Sequence, residues 1–262
     1  MNFYISAHKN ITKNPTQSDY SMHTHNDYEI FYFLSGNAEY SVEGNKYHLS
    51  PGDIMIMRKD EFHYLILKSN ATYERIIVNF LLPDEFKNSG LLDAFNNRRA
   101  GEKNLYRTTS IQYNHMLYYL KKICETEDKE RRFYYLLPFL DELREAFNLN
   151  FSHETPTVDR TTHIIKYINE HLEENITLSS VAEHFFLSQN HLNRIIKENT
   201  GTTLWEYITI KRLFKAREKI HKGEKPTTAC ISSGFKDYAT FFRSYKKHFG
   251  TSPKWDKPKI QA

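Results

Sequence analysis

Cysteine is nearly absent: Cys124 and Cys230 are the only two in 262 residues. They lie far apart and outside any metal-ligand spacing, which excludes a disulfide framework and fits a reducing compartment. No apolar window approaches the ~20 residues of a membrane span, so no membrane partner is expected. Lys9 and Lys13 near the start are not followed by an apolar run, so a signal peptide is not expected and a cytoplasmic location is. Excess charge is also small, at +4. That charge is uneven, however. Residues 1–159 carry 18 Lys and Arg against 22 Asp and Glu, a net of −4, whereas residues 160–262 carry 18 against 10, a net of +8. A basic C-terminal part joined to a neutral-to-acidic one is the footprint of a nucleic-acid module with a partner domain. The competing reading is a merely solvated basic surface.

With 39% hydrophobic and 15% aromatic residues, the chain can build cores for two domains of ordinary size. Residues 1–22 are polar and read as a loose arm. From Tyr28, short runs rich in Tyr, Ile, Phe and Val alternate with turn residues: Glu29–Leu34, Ala38–Val42, Lys46–Leu49, Ile54–Met57, His63–Leu67 and Thr72–Phe80. Six short strands with frequent turns imply an antiparallel sandwich or barrel. Residues 84–107 read as irregular or weakly helical. Two helices follow, Ile111–Cys124 and Arg131–Leu149, the second containing Pro138, which can kink it or shift its start. They cap the barrel or pair with a second copy in a homodimer. Residues 150–160 read as a linker, dividing a domain at 1–149 from an all-helical one at 161–262.

In that second domain the spacing predicts helices at Thr161–Glu173, Leu178–Phe185, Gln189–Asn199, Leu204–His221, Thr227–Ser233 and Tyr238–Phe249. Gly234 to Pro253 places Phe241, Phe242, Tyr245 and Phe249 along one helix face and Arg243, Lys246 and Lys247 on the other. A short basic helix behind a tight turn suits a DNA groove. A weaker copy runs from Phe186 to Thr203. Ala182 and Cys230 each stand four residues before a turn position, at Phe186 and Gly234, and Leu187 and Phe235 anchor the turns. The two copies are 48 residues apart, an internal duplication. In the first reading helix Leu192, Ile195 and Ile196 point inward, leaving Gln189, Asn190, Asn193, Arg194 and Lys197 outward. In the second, Phe241 and Tyr245 point inward, leaving Tyr238, Thr240, Arg243 and Lys247. Asn suits a bidentate contact to adenine and Arg to guanine, while Lys197 suits a phosphate.

These residues carry a resemblance. Leu178-x3-Ala182, Leu187-Ser188, Leu192-x-Arg194, Gly201-Thr202-Thr203, Tyr207-x4-Arg212-x3-Ala216, Gly234-Phe235-x-Asp237, Phe241-x-Arg243-x2-Lys246-Lys247 and Gly250-Thr251-Ser252-Pro253 resemble the DNA-binding domain of the AraC/XylS family of bacterial regulators. The resemblance runs from about Thr161 to Trp255. It implies two helix-turn-helix subdomains joined by the long helix Leu204–His221, both entering successive major grooves of double-stranded DNA. It also implies a transcription activator working with RNA polymerase. Ala229-Cys230 stands where an Ile-Ala pair is usual, Pro226 takes an apolar position, and Tyr245 replaces a usual Phe. The helix before the second turn is therefore expected to be looser.

The N-terminal domain resembles a cupin. His23-x-His25-x3-Glu29-x6-Gly36 is similar to the first cupin motif, and Pro51-Gly52-Asp53 with His63 to the second. The fold expected is thus α+β and multidomain: a cupin-like antiparallel β-barrel with helices, then an all-α tandem helix-turn-helix domain. His23 and His25, two apart, are expected on one strand face, with Glu29 and His63 converging from neighbouring strands. They are read with Tyr32 and Tyr40 as lining a pocket for a small-molecule effector, a sugar being one candidate. Tyr64 is a further candidate for stacking. No cofactor is assigned. Three histidines and a carboxylate would also suit a divalent metal, which keeps two alternatives open: a metal-dependent dioxygenase or isomerase with a DNA-binding tail, or a sensor of the metal. The reading adopted is a regulator and not an enzyme.

Overall fold

The computed structural model describes residues 3–20, 22–107, 114–149, 159–200 and 202–256. The chain divides into two compact units, Met1–Val158 and Asp159–Ala262. The linker expected at 150–160 falls outside the described residues except for Asp159 and Arg160, as do residues 111–113 of the expected helix and Gly201.

The first unit begins with β1 (Tyr4–Thr12), β2 (Tyr28–Ser35), β3 (Ala38–Val42), β4 (Asn45–His48), β5 (Asp53–Met57), β6 (His63–Leu67) and β7 (Tyr73–Leu81). It continues with α1 (Asp93–Asn96), β8 (Leu105–Arg107), α2 (Asn114–Glu125) and α3 (Lys129–Asn148). One sheet has the order β1-β7-β2-β5-β8 and the other β4-β3-β6. Every named pairing is antiparallel. The expected loose arm is instead an edge strand: β1 pairs with β7 from Tyr4 opposite Leu81 to Thr12 opposite Tyr73. Only Ile5 and Ala7 along it are buried, so its apolar pattern is too thin to announce a strand. The region read as irregular also holds β8, three residues paired with β5.

The five-stranded sheet is covered on both faces. Ile30, Tyr32, Ile54, Ile56, Val78 and Phe80 pack with Met116, Leu120, Leu136 and Leu140 of α2 and α3. Phe31, Phe33, Met55, Met57 and Tyr73 face Tyr40, Val42 and Leu65 of the other sheet. Burial on both sides explains why β2 reads as an unbroken apolar run rather than an alternation. Pro138 lies inside α3 without ending it. Just before β6 in the chain, Glu61 forms a fully buried bidentate ion pair with Arg98 at 2.7 Å. Glu61 also accepts the Arg58 and Gly101 amides. Charges this deep persist only when every lone pair is used, and the pair fixes the turn that delivers His63.

The second unit is helical: α4 (Arg160–Glu170), α5 (Leu178–His184), α6 (Gln189–Thr200), α7 (Leu204–His221), α8 (Pro226–Ser232) and α9 (Tyr238–Phe249). Side-chain caps start most of them: Asp159 on α4, Thr177 on α5, Thr203 on α7 and Asp237 on α9. Pro226 occupies the first turn of α8, where its missing amide hydrogen leaves nothing unsatisfied. Arg212 of α7 is buried and donates to the carbonyls of Leu172 (2.8 Å) and Glu174 (2.7 Å), tying α7 to the chain after α4.

Candidate nucleic-acid interface and barrel site

Helices α5 and α8 end in the same way. Phe186 stands at φ +53° and Gly234 at φ +91°, both left-handed. The Leu187 amide donates to the Ala182 carbonyl at 2.8 Å, and the Phe235 amide to the Cys230 carbonyl at 3.2 Å. One residue earlier, the Phe186 amide donates to Glu183 at 3.1 Å and the Gly234 amide to Ile231 at 3.0 Å. This is the Schellman closure of a helix, made twice at a separation of 48 residues. Ala182 and Cys230, at 2% and 1% exposure, are the small buried residues that let the helices approach.

After the turn the copies fall out of step by one. Ser188 caps α6 by accepting the His191 amide at 3.2 Å. Asp237, 49 residues on, caps α9 by accepting the Thr240 amide at 2.7 Å. The second turn is therefore one residue longer. Leu192 and Ile196 of α6, and Phe241 and Tyr245 of α9, are fully buried at matching i, i+4 positions. Ile195 is half-buried rather than a full core residue.

The opposite faces are polar and open. Gln189, Asn190, Arg194 and Lys197 are exposed on α6, as are Tyr238, Thr240, Arg243 and Lys247 on α9. Asn193 differs from the rest. It is half-buried, and its side-chain carbonyl accepts the Leu204 amide at 3.4 Å, which turns it toward the start of α7. Tyr245 takes the place of a phenylalanine for a visible reason. Its hydroxyl donates to Asp256 at 2.8 Å, and the same carboxylate receives Arg217 (2.9 Å) and His221 (3.2 Å). No local sequence signal links Asp256 to residues 11 to 39 positions away.

In the first unit, the structure brings His23, His25, Glu29 and His63 together, with one ligating atom from each lying within 4.8 Å of the others. The route differs from the expected one. His23 forms a single bridge with His63, and His25 lies in irregular chain, so no strand carries the pair. Glu29 and His63 come from opposite sheets rather than neighbouring strands. Tyr40 is placed as expected: its hydroxyl donates to Glu29 at 3.3 Å and its ring stacks with His63, centroids 6.0 Å apart. Tyr32 is not. It belongs to the face of β2 packed on α2 and α3, because residues 29, 31 and 33 point between the sheets and 28, 30 and 32 point away. Tyr64 is buried. Asp53 of the second motif is structural, paired with Arg107 at 3.2 Å and accepting the Ser50 amide.

Two partners escaped the sequence reading. Asn79 donates to Glu29 at 3.1 Å from β7, a contact with no local signature. Asp27, only two residues from His25, places a carboxylate oxygen 2.7 Å from its Nδ1. Burial alone would lower the His25 imidazole. The Asp27 and Glu29 carboxylates outweigh it and raise His25 to about 10. Burial would raise Glu29, but the His25 bond and the surrounding imidazoles pull it to about 2. At His63 burial dominates and lowers it to about 4, which keeps the ring neutral. Its Nδ1 donates to the Glu61 carbonyl at 2.8 Å, and its Nε2 is buried with no hydrogen-bond partner. A lone pair aimed at two imidazoles and a carboxylate fits a divalent metal.

Comparison with known proteins bears on both units. A helix-turn-helix domain family matches residues 181–255, and an AraC-like ligand binding domain family matches residues 10–95. The HTH-type transcriptional activator RhaS of Escherichia fergusonii is 24% identical over 247 residues, covering 91% of this chain and 87% of that protein. The uncharacterized HTH-type transcriptional regulator YbfI of Bacillus subtilis is 26% identical over 224 residues, covering 82% and 78%. The structure of ToxT from Vibrio cholerae aligns over 97% of both chains at 15% identity and a TM-score of 0.37. No helix among the described residues is long and apolar enough to cross a membrane.

Proposed function

Because this chain belongs to the AraC/XylS family of transcription regulators, we propose that it reads duplex DNA with α6 and α9 and is controlled by a small molecule held between the two sheets of its first unit. One observation carries the proposal: the same turn, built twice, presents two helices whose apolar sides are buried and whose polar sides are open. Asn190, Arg194 and Arg243 are assigned to base edges, where Asn and Arg make bidentate contacts. Gln189, Tyr238 and Thr240 flank them, and Lys197 and Lys247 go to phosphates. Asn193 positions α6 rather than reading a base.

The effector site is assigned to His23, His25, Glu29, His63 and Tyr40, without Tyr32. Glu29 offers a carboxylate for hydroxyl groups and Tyr40 an aromatic face, a combination suited to a polar ligand such as a sugar. Should a metal be held there, the same three histidines and Glu29 would be its ligands, and the ion would supply a Lewis-acid anchor for an oxygen donor. The effector acts only if it binds two arrangements of the protein with different affinity. Activation through RNA polymerase, in the cytoplasm and without catalysis, is the working assignment, since the RhaS relatives are named activators.

Salt dependence tests the DNA reading. With a duplex selected by the protein from a random library, about six to ten phosphate contacts predict an affinity loss of roughly 10³–10⁵ between about 50 and 200 mM salt. An affinity that stays level over that range would show that the basic helices are not the contact.

A further inference from the structure

We propose that Arg75 anchors an acidic group on the effector, so that the small molecule is a hydroxylated organic anion charged at one end. The proposal rests on the effector site assigned above and adds a residue to it. Arg75 stands on β7 in the alternating set Tyr73, Arg75, Ile77 and Asn79. Tyr73 and Ile77 pack between the sheets, and Asn79 donates to Glu29, so Arg75 faces the same space. About 13 Å of strand, at ~3.3 Å per residue, separates the α-carbons of Arg75 and Asn79. A positive group thus lies at one end of the site and the Glu29 carboxylate at the other.

A row of rings joins the two ends. Tyr40 donates to Glu29 at 3.3 Å, and its ring centre lies 4.7 Å from that of Phe31, which stacks on Tyr73 at 6.5 Å. The Tyr73 ring lies 4.6 Å from the Arg75 guanidinium carbon, and the Tyr20 ring 5.5 Å from it. Arg75 Nη1 donates to the Thr12 hydroxyl at 3.1 Å. A guanidinium stacked on rings still presents N–H groups in its own plane, as a fork that fits a carboxylate or a phosphate. Arg98 and Arg107 of the same unit are each matched by a carboxylate, Glu61 and Asp53. Arg75 is half-buried and, among the described residues, forms no ion pair. Its sequence neighbour Glu74 points to the other face of the sheet and pairs with Lys9 at 2.7 Å. An acidic ligand supplies the counter-charge that a partly desolvated cation calls for.

This flank of the site can be reached. β7 runs between β1 and β2, yet Arg75, Ile77 and Asn79 are only half-buried, so the three-stranded sheet does not close over them. The chain at 17–20 spans the flank instead. Gln17 donates to the Leu65 carbonyl at 2.8 Å and accepts the Leu67 amide at 2.9 Å on β6, while Tyr20 rests over Arg75. Glu29 sets the polarity of the ligand. It accepts from hydroxyl groups and repels a second acidic group, which excludes a molecule negatively charged at both ends.

The test titrates the full chain with glucuronate, glucose 6-phosphate and neutral glucose by calorimetry, at one ionic strength set with sodium chloride. At least one of the two anions should bind about tenfold to a hundredfold more tightly than glucose, the size of a charge-assisted hydrogen bond. The tighter of the two tells a carboxylate effector from a phosphate. Arg75→Met should abolish the preference and Arg75→Lys should keep part of it, with circular dichroism verifying the fold of each. Arg75→Gln is the second neutral variant, since its amide keeps a donor for Thr12. Anions that bind no better than glucose, or a preference that survives both neutral variants, overturn the subsite. These readouts do not involve DNA. Loss of the subsite would leave the assignment of α6 and α9 standing, whereas anion binding that leaves DNA affinity unchanged would retain the subsite and overturn its role as an effector site.

Discussion

The turn at Phe186 and the turn at Gly234 close with the same backbone bonds, yet their surroundings are opposite. Phe186 is 94% exposed and meets no core. Gly234 is wedged against the chain after α4 and against α7: a Cβ there would lie 2.3 Å from the Leu172 carbonyl oxygen and 2.7 Å from Arg212 Nε. The left-handed conformation is common to both turns. What requires glycine at only one of them is the neighbour. The first turn tolerates a bulky residue at the cost of backbone strain, because nothing stands where its side chain goes.

The contrast can be broken at several points. Gly234→Ala should have the largest effect, about 2–5 kcal/mol of lost stability, because it combines left-handed strain with a backbone collision. Denaturant unfolding measures it, and a loss below about 0.5 kcal/mol would mean that the second turn is not packed as described. Arg212→Met should follow, at about 2–3 kcal/mol, since the carbonyls of Leu172 and Glu174 lose their donor in a buried setting. Phe186→Gly runs the other way. It relieves strain and removes no buried surface, so stability should rise by roughly 0.5–1 kcal/mol, and a clear fall would reveal a contact for the ring.

The smallest effect sharpens the comparison through pH. Burial would raise the Asp256 carboxyl, but bonds from Tyr245, Arg217 and His221 hold it below its ordinary value. A carboxyl lowered by folding stabilises above its unfolded pKa, and that contribution disappears as pH falls through the folded one. Hydrogen-exchange protection of α9 should therefore fall more than that of α6 below about pH 4. Asp256→Asn should remove the difference, and persistence of the difference in that variant would assign it elsewhere.

Legibility in the sequence followed locality. The helices of the second unit were readable because each buries residues at helical spacing and starts at a capping side chain, as α9 does with Asp237, Phe241 and Tyr245. The turns at Phe186 and Gly234 were readable because the duplication shows twice what each copy shows weakly. β1 was hidden because an edge strand with only Ile5 and Ala7 buried carries almost no alternation. The face of Tyr32 is not legible because β2 is apolar on both sides, so its run does not reveal which side is the interior. A spacing of two at His23 and His25 suits a strand, but irregular chain supplies it equally well. Asn79 on Glu29 and Asp256 under Tyr245 depend on pairings across the fold that no window of sequence contains.

The central claim is that α6 and α9 both touch the duplex through exposed arginines. The direct measurement is the affinity of an Arg194→Ala/Arg243→Ala double variant for a duplex selected by the wild-type protein, read by mobility shift at fixed salt. Both side chains lie on open faces, so the variant should stay folded. Binding should weaken by about 30-fold or more, from roughly 1–3 kcal/mol at each base contact. Affinity within about twofold of wild type, a change of only ~0.4 kcal/mol, would contradict the account.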